Sequence, residues 1–98
     1  MKAREFYILE DGIELHRNSP HTFQIPSIQK KVALKKGDIV KLIFNQDKRM
    51  TERMWVIITK AKYPNYEGTL DNNPLFIDTI KYGDKIKFHA NNIVNTYD

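Results

Sequence analysis

One pattern occurs twice in this chain, and it dictates where strands begin. Leu34-Lys35-Lys36-Gly37-Asp38-Ile39-Val40-Lys41-Leu42 matches Ile80-Lys81-Tyr82-Gly83-Asp84-Lys85-Ile86-Lys87-Phe88 at apolar, Lys, Gly, Asp, apolar, Lys and apolar positions, with an offset of 46. Glycine supplies the positive φ of a tight turn, aspartate can bond the backbone just beyond it, and period-two alternation then starts. Each copy therefore predicts a turn feeding a half-buried strand. Two copies do not make a repeat array.

From these anchors a coarse map follows. Ile39 to Phe44 reads as a strand with Val40, Leu42 and Phe44 inward, followed by a polar loop from Asn45 to Arg49. Met54 to Lys60 reads as a second strand, Tyr66 to Leu70 as a third, and Asp71-Asn72-Asn73-Pro74 as a dense turn signal. A short helical turn is expected within residues 75–82. Lys85 to His89 reads as a fourth strand with Ile86 and Phe88 inward, and Ile93 to Tyr97 closes the sheet.

Met54-Trp55-Val56-Ile57-Ile58 is apolar without alternation, so both of its faces need cover. The N-terminal third is the expected source. There, Asp11 with Glu14 resembles a capping box for a short helix ending near Asn18-Ser19-Pro20, the alternative being a hairpin turning at Asp11-Gly12. Ser27 caps a second brief helix over 28–34. The fold class expected is α+β, mostly β: a small SH3-like antiparallel barrel or curled sheet, with an N-terminal extension carrying one or two short helices. The 98 residues suit one domain, residues 1–34 being the extension and 35–98 the β core.

Composition narrows the chemistry. With no cysteine there is neither a disulfide nor a thiolate metal site nor a thiol nucleophile, and 41% apolar residues must supply a single core. The basic start is followed by only Phe6 to Leu9 before Glu10 and Asp11, too short for a secretory signal, and no apolar run approaches the roughly twenty residues of a spanning helix. A cytoplasmic location is expected, with no membrane association.

Catalytic motifs do not emerge. Ser19 and Ser27 are the only serines and sit beside a proline and at a helix start, while His16 and His21 are five apart, which matches neither helical ligand spacing. Glycines do not cluster into a phosphate-cradling loop. Neither a cofactor nor a metal is implied. What remains is charge: residues 27–62 carry ten Lys and Arg against three acids, whereas the flanking thirds are slightly acidic. This stretch reads either as a surface for an acidic partner, protein or nucleic acid, or as a solvated face. Lys41, Arg49, Arg53, Lys60 and Lys62 are its candidate contacts, with Tyr63 and Tyr66 as exposed aromatics. Trp55, Phe23, Phe44, Phe76 and Phe88 read as core.

Glu52-Arg53-Met54-Trp55-Val56, Gly68-Thr69-Leu70-Asp71-Asn72-Asn73-Pro74 and Gly83-Asp84-Lys85-Ile86-Lys87-Phe88, in that order and spacing, resemble the bacterial family catalogued as domain of unknown function 2314. Thr22-Phe23-Gln24-Ile25-Pro26-Ser27 and Gly37 to Phe44 extend the resemblance over roughly residues 20–93. The ending Ile93-Val94-Asn95-Thr96-Tyr97 departs from the family's Ile-x-Asp type. The resemblance implies a bacterial or bacteriophage origin and a compact cytoplasmic domain with no assigned activity. Within these motifs Arg53 reads as an anion-binding guanidinium or as a partner of Asp71 that pins strand to turn. Asn72 and Asn73 read as ligand-facing amides or turn formers. The leading expectation is a non-catalytic protein-interaction module in a bacterial conflict or immunity setting. The alternative is nucleic-acid or nucleotide binding through the basic middle segment.

Overall fold

The computed structural model describes residues 7–47 and 50–97. The expected loop residues Lys48 and Arg49 lie outside this description. The elements run β1 (Ile8–Leu9), α1 (Gly12–Asn18), α2 (Ile28–Val32), β2 (Ile39–Gln46), β3 (Met50–Lys62), β4 (Asn65–Leu70), β5 (Lys85–His89), a 3₁₀ turn (Ala90–Asn92) and β6 (Ile93–Tyr97). All strand pairings are antiparallel, in the order β1-β2-β3-β4-β5, with β6 paired to β2. The sheet curls into a half-barrel, with the two short helices near its N-terminus, so of the two expected forms the curled sheet is the one adopted.

The doubled motif builds the same device twice. Gly37 and Gly83 adopt φ of 97° and 90°, a region that costs a Cβ-bearing residue roughly 1–2 kcal/mol. Asp38 and Asp84 each accept from a lysine N–H three residues earlier, Lys35 and Lys81, both at 2.9 Å. The aspartates thus bond backward rather than beyond the turn. Each glycine N–H then donates to the neighbouring strand, Gly37 to Ile58 and Gly83 to Leu70, both at 2.8 Å. The residues Ile39, Ile57, Thr69 and Lys85 form one row across the four strands, so β2 and β5 start level with each other on opposite sides of the β3–β4 hairpin.

Val40, Leu42 and Phe44 of β2 and Met54, Val56 and Ile58 of β3 fill the concave face with Leu70, Ile86, Phe88 and Ile93. A bulge between Ile58 and Lys60 advances the alternation by one, so that Ala61 rather than Lys60 packs toward the core, opposite Tyr66. Tyr66 is buried, stacked on Phe88 at 5.3 Å, with its hydroxyl donating to the Lys31 carbonyl at 2.7 Å. This corrects its expected exposure. Phe76, expected in the core, is 63% exposed.

β3 begins at Met50, four residues earlier than its apolar run suggested, because Glu52 occupies an inward position of the strand. Inward Gln46 of β2 adds a second polar group at this end of the half-barrel. Residues 71–84 close over that end and insert Ile77 and Ile80 into the core. They form bends rather than the expected helical turn. The N–H groups of Leu75, Phe76 and Ile77 are taken by the Glu52 carboxylate, at 2.7, 3.0 and 3.2 Å, instead of entering a helical ladder.

On the convex face the N-terminal third lies beside β2 and Ile43, not over Trp55 of the apolar β3 run it was expected to cover. Asp11 caps α1 through the N–H groups of Ile13 and Glu14, which selects the helix over the hairpin, and Ser27 caps α2. Ile43 is buried on this face, whereas Trp55 is only half-covered. Its cover comes from Tyr97 of β6, edge-on at 5.5 Å, and from the Lys41 ammonium 4.5 Å above its ring. The core role read for Trp55 is thus replaced by a place on the outer face.

Candidate functional site

The convex face carries an open cleft of about 560 Å³. Its floor holds Lys41 of β2 and Arg53 of β3, one wall is Val94 to Thr96 of β6, and the opposite wall is the irregular segment 22–26, with Lys30 of α2 at the rim. His16 at the end of α1 fixes that segment through its Nδ1, 2.7 Å from the Phe23 carbonyl oxygen. Phe23 is thereby set against Arg53, whose guanidinium lies 5.5 Å from the ring centre. Beyond Phe23 and Arg53 a second hollow continues over Leu15, Ile43, Thr51 and Glu10.

No carboxylate pairs with Arg53 or Lys41 among the described residues, whereas Arg17 pairs with Glu14, Lys35 with Asp38 and Lys81 with Asp84. The expected pairing of Arg53 with Asp71 does not form. Asp71 instead extends the β3–β4 ladder by donating its N–H to the Trp55 carbonyl, and the Asn72 side-chain oxygen accepts the Trp55 N–H. The Arg-Met-Trp-Val and Asp-Asn-x-Pro elements therefore meet at the Trp55 backbone, and Asp71 and Asn72 act as pins. Asn73 is exposed in the same loop.

The other basic candidates lie elsewhere. Lys60 and Lys62 border a separate hollow of about 480 Å³ with Asn65, Glu67 and Lys87. Glu67 stands directly between Lys60 and Lys87 across three strands, which interrupts the positive charge. Seven residues of strand separate Arg53 from Lys60, on the order of 23 Å at about 3.3 Å per residue. Tyr63 is exposed at the β3–β4 turn. Burial, assisted by Tyr63, raises the Tyr66 hydroxyl above its ordinary pKa.

A second feature had no forerunner among the expected site residues. The loop 71–84 displays Leu75 and Phe76, 81% and 63% exposed, directly where Glu52 grips the backbone. Gln46 fixes the next two residues, accepting from the Asp78 N–H and the Thr79 hydroxyl and donating to the Asp78 carboxylate. Burial works to raise the Glu52 pKa, but the three N–H groups outweigh it and hold the carboxyl below its ordinary value. Alternation of Met50, Glu52 and Met54 was the available signal for an inward Glu52. Nothing comparable marked Phe23 as the wall of a cleft, since its position depends on the path of an irregular segment.

Among the described residues no three His, Asp or Glu side chains converge as a metal site would require. No helix of the described residues is long and apolar enough to cross a membrane. A model of a family described as an uncharacterized protein conserved in bacteria, domain of unknown function 2314, matches residues 9–96. No curated protein and no solved structure shows a match.

Proposed function

The chain belongs to the bacterial family catalogued as domain of unknown function 2314, and on that footing we propose that it is a non-catalytic module that binds another protein through the tip of the 71–84 loop. The observation that carries this reading is the rigid display of Leu75 and Phe76. Two adjacent large apolar side chains stand in solvent while their own N–H groups, and that of Ile77, are held by one carboxylate. Burying each side chain in a partner is worth roughly 1.5–3 kcal/mol. A backbone already fixed loses little further freedom on binding, which is how a small apolar tip becomes an anchor.

The nucleic-acid alternative is less well supported: stacking needs exposed aromatic faces within a basic groove, and although Tyr63 is exposed, Tyr66 is buried and the Trp55 ring is occupied by Lys41 and Tyr97. The basic side chains also fall into two separated groups.

Capture from bacterial lysate by the immobilised protein tests the proposal. Wild type should retain one or more proteins after nuclease treatment, and Leu75→Ser with Phe76→Ser should release them while melting within about 0.5 kcal/mol of wild type, as exposed positions do. Equal capture by the double variant, or capture that disappears with nuclease, would overturn the reading.

A further inference from the structure

We propose that the cleft between segment 22–26 and the convex face of β2, β3 and β6 receives an acidic, extended segment of the protein partner, its carboxylates pairing with Arg53 and Lys41. The inference rests on the protein-binding reading above and adds the chemistry of what is bound.

Charge complementarity carries it. Arg53 and Lys41 share the cleft floor, and none of the described residues lining the cleft is acidic. The two floor cations are set against aromatic rings rather than carboxylates, Lys41 over Trp55 and Arg53 over Phe23. A ring face attracts and orients a cation without consuming its N–H donors. The guanidinium fork of Arg53 and the ammonium of Lys41 thus remain able to accept a carboxylate, Arg53 in the bidentate mode. The uneven charge of the chain has the same address, since residues 27–62 supply both cations and hold ten Lys and Arg against three acids.

Shape selects the occupant. The cleft is an open trench between a strand and the irregular segment 22–26, so it suits a chain laid along it, and it lacks the enclosure typical of small-molecule sites. Of the two chains that bring negative charge, a nucleic acid needs stacking faces that Trp55 and Phe23 have already given to Lys41 and Arg53. An acidic peptide needs only the donors.

Fluorescence anisotropy with a labelled hexaglutamate peptide and a labelled six-nucleotide thymidine strand, at low salt, tests this. Hexaglutamate should bind, Arg53→Gln should weaken it about tenfold or more, and Lys60→Gln with Lys62→Gln, outside the cleft, should change it less than about twofold. Equal losses in the two sets would mean diffuse attraction and overturn the site. So would tighter binding of the thymidine strand that Arg53→Gln abolishes, or no hexaglutamate binding. Lysate capture run alongside separates the two proposals. Absent hexaglutamate binding with capture intact overturns the cleft and leaves the loop-tip reading standing; hexaglutamate bound through Arg53 with no protein captured does the reverse.

Discussion

Replacing Glu52 with glutamine tests how the apolar loop tip is held. The carboxylate takes the Leu75 N–H on Oε2 and those of Phe76 and Ile77 on Oε1. Glutamine keeps one acceptor oxygen and turns the other into a donor that faces an N–H. At least one bond is therefore lost and a donor–donor contact created. Hydrogen bonds to charged groups contribute roughly 1.5–3 kcal/mol, and because Glu52 is only half-buried the expected loss lies around the lower end of that range, about 1–2 kcal/mol. The sign with pH follows from the direction of its pKa. The folded value lies below the ordinary one, so this stabilisation is fully present above the ordinary glutamate range, near 4.3, and is lost as pH falls through the lowered folded value. Urea unfolding of wild type and Glu52→Gln should thus differ fully at pH 7 and converge as pH falls below about 4. Hydrogen exchange at Leu75, Phe76 and Ile77 should accelerate in the variant. A difference under about 0.5 kcal/mol, or one that stays constant with pH, would refute the latch.

Two further expectations concern the frame. Gly68→Ala would place a Cβ 2.4 Å from the Ile57 carbonyl oxygen and 2.6 Å from a Val56 methyl, while a Cβ on Gly37 or Gly83 would meet nothing within 4 Å and would be strained only by the positive φ. Gly68→Ala should cost about 3 kcal/mol or more against roughly 1–2 for either turn glycine; equal melting temperatures for the three variants would contradict this. Tyr66→Phe leaves the Lys31 carbonyl without its 2.7 Å donor, and should lower stability by about 1–2 kcal/mol in chemical denaturation, an unchanged midpoint being the contrary result.

The strands were legible because their signals are local. Gly37-Asp38 and Gly83-Asp84 announced β2 and β5, and the inward assignment of Val40, Leu42, Phe44, Ile86 and Phe88 holds. Ser27 and Asp11 announced their helices for the same reason, each capping side chain reaching only two or three residues ahead. What was illegible depends on distant partners. The path of 71–84 is decided by Glu52 and Gln46, some thirty positions away for Gln46 and Asp78, so Phe76 could not be placed outside, nor the helical turn refused, from composition. Tyr66 lies inward by the plain alternation of β4 with Gly68 and Leu70, a local signal that its reading as an exposed aromatic passed over. Of the candidate site, Lys41 and Arg53 do share a cleft, but its walls come from residues 22–26 and from β6, a meeting that only the tertiary path creates.

β6 joins β2 with Lys41 opposite Asn95, more than fifty positions apart, whereas β2–β3 and β3–β4 close through short connections. Closing a loop of that length adds to the entropy cost of recruiting β6. Because β6 is also a wall of the cleft, a segment bound there would clamp the last strand shut, and occupancy would register as slowed amide exchange along Ile93 to Tyr97.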